Sequence, residues 1–126
     1  MLNRIELIGN VGRQPILRHT NSGSAVCNID LAVHRFKGGA GNEKYETDWI
    51  EVTVFEDLAR FCAERLLKNT KIFAEGRIQC EKYEKNGLKI FRTRVVANRI
   101  ILLSPREASG DMSAEAKGGD SFVVQE

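Results

Sequence analysis

Few side chains in this 126-residue sequence are arranged to make or break bonds. Cys27, Cys62 and Cys80 are odd in number, and no two have the spacing of a zinc knuckle. They read as small buried thiols in a reducing compartment. His19 and His34 lie in no HxxxH or HExxH context and read as polar surface residues. Glu56 and Asp57 sit where a helix begins and read as N-terminal charges. The glycine-rich KGGAGNEKY stretch from Lys37 to Tyr45 lacks the GK[ST] of a phosphate-cradling loop and leads into a strand. No enzymatic activity, metal or cofactor is expected.

A non-covalent chemistry is better supported. In 48–55, Ile50, Val52 and Val54 form an apolar face, leaving Trp49, Glu51, Thr53 and Phe55 on the other. In 71–83, Ile72, Ala74, Gly76, Ile78 and Cys80 face one way, and Phe73 and Tyr83 stand among charges on the other. Phe36 ends a further strand, beside Arg35 and Lys37. Aromatic rings on a polar, partly basic sheet face suit unpaired nucleic-acid bases. Each stacked base contributes about 1–3 kcal/mol whatever its identity, while lysine and arginine follow the phosphates. The candidate stacking residues are Trp49, Phe55, Tyr83, Phe36 and Phe73. The candidate phosphate contacts are Arg4, Arg35, Lys37, Lys44, Lys68, Arg77, Lys82 and Arg92. For any single ring, packing beneath a loop or between subunits is an equal alternative.

Alternating patterns predict strands over 3–11, 25–33, 48–55, 71–83 and 90–103. Between the third and fourth, Leu58, Phe61, Cys62 and Leu66 recur at helical spacing over 57–67, and Asn69 suits the helix exit. Asn86-Gly87 marks a tight hairpin turn. Three strands, a helix and a long hairpin give an all-β class, in the order of a five-stranded OB-fold barrel with its helix between strands 3 and 4. The pattern also fits other all-β arrangements with one helix. Gly9 and Gly76 fall where a small barrel bends.

Composition changes at Pro105. Residues 1–105 hold 17 Lys/Arg against 12 Asp/Glu, a formal +5; residues 106–126 hold 2 against 5, a formal −3. The overall +2 thus joins a basic domain, 1–105, to an acidic tail, 106–126, that has no period and is expected to be disordered. No apolar run approaches the ~20 residues that span a bilayer, and no membrane association is expected. The N-terminus carries none of the three parts of a secretory signal.

Taken in order, NRIELIGNVGRQP, SGSAVCNIDLAV, TDWIEVTVF, KIFAEGRI and ANRIILLSP resemble the bacterial single-stranded DNA-binding protein family from about Leu2 to Pro105. The resemblance implies an OB fold and a homo-oligomer, usually a tetramer. It further implies sequence-independent binding that protects and organises single-stranded DNA in replication, recombination and repair, in a bacterial cytoplasm or an organelle of bacterial descent. It carries a stacking role to Phe36, Trp49, Phe55 and Tyr83, the last replacing a tryptophan. Three departures stand out. Glu51 occupies a position often basic, Gln79 and Glu81 replace basic residues, and DSFVVQE lacks the acidic Pro-Phe tip through which the family docks replication and repair proteins. The first two predict weaker binding and a shallower salt dependence. The last fits a specialised paralogue, or a primosomal or RNA-binding OB module.

Overall fold

The computed structural model describes residues 1–38 and 44–104 and the backbone of a strand at Ser121–Val123. Seven strands and one helix follow in the order β1 (Ile5–Val11), β2 (Leu17–His19), β3 (Ala25–Phe36), β4 (Tyr45–Phe55), α1 (Glu56–Arg65), β5 (Lys71–Lys85), β6 (Leu88–Leu102) and β7 (Ser121–Val123). The sheet runs β1-β5-β6-β4-β3-β2, and β1 also pairs with β3, which closes the barrel. Five long strands, one parallel contact between β4 and β6, and a helix between β4 and β5 make this the OB fold. The expected strands and helix are all present. β2 and β7 are additions, too short for a pattern to reveal.

Alternation decides the inside. Val11, Cys27, Ile29, Leu31, Val52, Val54, Ile72 and Ile100 are fully or almost fully buried within the barrel. The helix closes one end with Leu58, Ala59 and Cys62, followed by Leu66. Gly76 sits where β5 and β6 lose register, and a Cβ there would fall 2.0 Å from the Val96 carbonyl oxygen. Only glycine admits this approach, so the expected bend residue is a contact residue. At the hairpin tip Asn86 and Gly87 both have positive φ, 54° and 80°, as the Asn-Gly turn requires.

One expectation is corrected. Cys27 and Cys62 are buried, but Cys80 is exposed, because the β5–β6 hairpin runs beyond the barrel and its inward-facing side meets solvent there. Within the acidic tail the structure adds one short pairing, Ser121–Val123 antiparallel to Arg99–Ile101 of β6. The rest of that tail, and residues 39–43 of the glycine-rich stretch, lie outside the described residues.

Candidate nucleic-acid interface

β3 and β4 pair in continuous antiparallel register from Val26–Phe55 to Phe36–Tyr45. Their outward face therefore carries Phe36 beside Tyr45, His34 beside Thr47, Ala32 beside Trp49, Asp30 beside Glu51, Asn28 beside Thr53 and Val26 beside Phe55. Trp49 is 63% exposed. Its indole lies over the backbone leaving β1, since a Cβ on Gly12 would approach its Cζ3 to 2.5 Å. Phe36 and Tyr45 form a tilted pair with centroids 5.4 Å apart. Phe55 is half-buried where β4 gives way to the helix.

β6 carries this face onward. Arg92 and Arg94 point to the same side, and their β5 partners are Glu81 and Gln79, two and four residues before Tyr83. Arg92 donates from Nε and Nη2 to the two carboxylate oxygens of Glu51, with the Nε contact at 3.2 Å. Arg94 donates to Glu81 at 2.9 Å and to Thr53 at 3.4 Å, and Thr53 donates to Asn28 at 2.9 Å. These bonds link β3, β4, β6 and β5 and set Trp49 and Tyr83, itself 48% exposed, on one continuous surface. The Arg92 guanidinium is held in its charged form above its ordinary value, chiefly by the hydrogen bond to Glu51.

The loop after β1 borders a cleft of about 250 Å³, lined in part by Arg13, Ile16, Arg18, Asp30 and Glu51, and Arg13 and Asp30 also line an adjoining one with Gly12 and Trp49. Arg13 pairs with Asp30 at 2.9 Å. Rings, arginines and amides thus surround a concave, solvent-open surface. It can stack planar groups and hold anions. Among the described residues no group of three or more His, Cys, Asp and Glu could hold a metal.

The predicted residues divide. Trp49, Tyr83, Phe36, Phe55, Arg77 and Arg92 lie on this face. Arg77 donates to Gln79 at 3.4 Å. Arg35 shares the register of Phe36 but alternates to the reverse side, where it meets Asp48 and Glu46, both at 3.1 Å. That contact, above all its hydrogen bond, holds the Asp48 carboxyl below its ordinary value. Lys37 also goes to Glu46, at 3.1 Å. Lys82 alternates away from Tyr83, opposite Phe91. Lys44 and Lys68 are exposed outside the regular elements. Arg4 pairs with Glu6 and Glu75 at 2.8 and 2.6 Å. Phe73 is opposite Ile8 on one side and Ile101 on the other, with Arg99 5.8 Å from its ring. These last two form a separate outer patch on β1, β5 and β6.

Tyr45 and Arg13 were missed. Tyr45 continues the outward alternation of Thr47 and Trp49, a signal lost by starting the strand at residue 48. Arg94 is two residues from Arg92 and so on the same face. Arg13 lies in a loop, and nothing local reveals that it turns back to Asp30.

Residues 2–103 match the family described as "Single-strand binding protein family". The chain is 37% identical over 124 residues to a single-stranded DNA-binding protein of Halalkalibacterium halodurans, covering 96% of this chain and 73% of the relative. It is 33% identical over 115 residues to single-stranded DNA-binding protein 1 of Chlorobaculum tepidum, covering 89% of this chain and 71% of the relative. A solved structure titled "Plasmodium falciparum SSB complex with ssDNA" superposes with a TM-score of 0.73 at 25% identity, over 82% of this chain and 96% of that one.

Proposed function

The chain belongs to the single-strand binding protein family, and from that premise we propose that it binds single-stranded DNA without sequence preference, protecting and organising it in replication, recombination and repair. The observation that carries this reading is the outward face on which Trp49 and Tyr83 are exposed and joined through Glu51 and Arg92. Bases stack on Trp49, Tyr83, Phe36 and the accessible part of Phe55. Arg77, Arg92, Arg94 and Arg13 face the backbone phosphates. Every contact is non-covalent. Stacking supplies the affinity, and it is blind to sequence because every base has a π-face.

The reading is tested by titrating the full chain with oligo(dT), oligo(dC) and oligo(rU) while following the emission of Trp49, the only tryptophan. Quenching by both DNA oligomers, with affinity falling as salt rises, supports it. Unchanged emission in excess oligonucleotide at low salt overturns it. Tighter binding to oligo(rU) than to oligo(dT) moves the assignment to RNA.

The chain assembles with further copies of itself, toward a tetramer. The patch of Ile8, Phe73 and Ile101 supports this, with Ile8 52% exposed. So does β1, whose edge toward β3 is paired only at Asn10 and Val11. An antiparallel strand edge is complementary to itself about a twofold axis. Solution mass measured with and without DNA checks the assembly. No helix among the described residues is long and apolar enough to cross a membrane, and the site of action proposed is the cytoplasm.

A further inference from the structure

Asp30 and Glu51 are direct cross-strand neighbours beside Trp49, and like charges in that position repel. Each is matched by an arginine from elsewhere, Arg13 from the loop after β1 and Arg92 from β6. Arg94 is engaged in the same way by Glu81. Three arginines facing the candidate DNA path are therefore already occupied by carboxylates of their own chain. The Arg92 contact is two-pronged, with Nε and Nη2 given to both oxygens of Glu51. A guanidinium offers a phosphate the same fork. Glu51 and a DNA phosphate cannot both have it. Neither partner is sealed off, since Arg92 is 40% exposed and Glu51 29%.

We infer that Glu51 is an internal competitor for DNA: a backbone phosphate displaces it from Arg92, and the residue thereby sets the affinity and salt dependence of the interface. The inference rests on the single-stranded DNA reading given above. Its physical content is an exchange of anions. A phosphate reaching a free arginine sheds its condensed cation, which gives a salt slope of about 0.7 per contact on single strands. A phosphate reaching Arg92 also displaces Glu51, and the unpaired carboxylate left beside the DNA retains in the interface cations that a free arginine would have released. Little net release remains, so Arg92 contributes almost nothing to the slope. Asp30 does the same to Arg13, more weakly because Arg13 is largely exposed and uses a single nitrogen.

The test is the full chain carrying Glu51→Gln, which keeps the side-chain size and removes the charge. Binding of dye-labelled oligo(dT) is measured from about 50 to about 300 mM NaCl. The expected result is affinity about 3- to 10-fold tighter at low salt and a log–log slope steeper by about 0.7. Both gains should vanish when Arg92→Gln is added, compared with Arg92→Gln alone. Asp30→Asn should move affinity in the same direction by a smaller factor, and it keeps the question answerable if the first variant folds poorly. Affinity unchanged or weakened by Glu51→Gln, with the slope unmoved, overturns the inference and makes Glu51 a residue that only positions Arg92. That result leaves the DNA reading intact, whereas failure of the unaltered chain to bind oligo(dT) removes both.

Discussion

The indole of Trp49 rests on Gly12, so closely that a Cβ at Gly12 would come within 2.5 Å of Cζ3. The backbone leaving β1 is a floor for one face of the ring and leaves the other free for a base. Gly12→Ala should push the indole off this floor while sparing the barrel, because Gly12 lies just past β1. The expected outcome is an altered Trp49 emission in the free protein and weaker binding to oligo(dT), with far-ultraviolet dichroism unchanged. Unaltered emission and affinity would show that the floor is dispensable.

Trp49 and Phe73 should answer differently to truncation. Trp49→Ala removes a stacking plane and should weaken DNA binding by about 1–3 kcal/mol, roughly 5- to 150-fold, with solution mass unchanged. Phe73→Ala lies in the Ile8–Ile101 patch and should lower the solution mass at micromolar protein. An equal loss of DNA affinity in both variants, at constant mass, would place Phe73 among the stacking residues after all.

Arg35 tests how far charge alone predicts a phosphate contact. It is bound to Asp48 and Glu46 on the side away from Trp49. Arg35→Gln should therefore change the salt slope of binding by much less than the ~0.7 expected of a phosphate contact. A full loss of that size, measured with the same oligomer, would mean that the strand crosses to the reverse side of the β3–β4 ribbon.

Cys27 predicts a pH effect on stability. Burial pushes its thiol from an ordinary 9.0 up to about 11. The folded chain then keeps a proton that the unfolded chain gives up above about pH 9. The stabilisation is complete below that value and is lost as pH rises through about 11, in total about 3 kcal/mol. Urea unfolding midpoints at about pH 8 and about pH 10.5 should fall further for the unaltered chain than for Cys27→Ala. Equal falls would assign the alkaline loss to other groups, the fully buried Cys62 thiol, which burial also pushes up, first among them.

Much of this molecule is legible in its sequence. Val52 and Trp49 announce opposite faces of one strand by alternation alone, and Asn86-Gly87 announces its turn by backbone preference. The helix was equally plain from Leu58, Cys62 and Leu66. What stayed hidden was set by partners distant in sequence. Arg13 and Asp30 meet across 17 residues, and Arg92 and Glu51 across 41. Counting basic residues treats Arg92 and Lys82 alike, but one is held by a carboxylate and the other faces away from Tyr83. Local spacing also hides which outward ring meets solvent in the groove and which, like Phe73, sits among aliphatic side chains on another part of the barrel.

The barrel is joined unevenly. β3 with β4 and β5 with β6 are zipped along nearly their whole lengths, while β4 meets β6 only at Val52–Val95 and Thr53–Val96, and β1 meets β3 only at Asn10–Ala32 and Val11–Leu31. The molecule is therefore two stiff ribbons stitched along short seams. One of those seams, at Thr53, runs through the proposed DNA face. A strand bridging from Trp49 on one ribbon to Tyr83 on the other would act as a suture, and amides along the β4–β6 seam should exchange with solvent more slowly once it is in place.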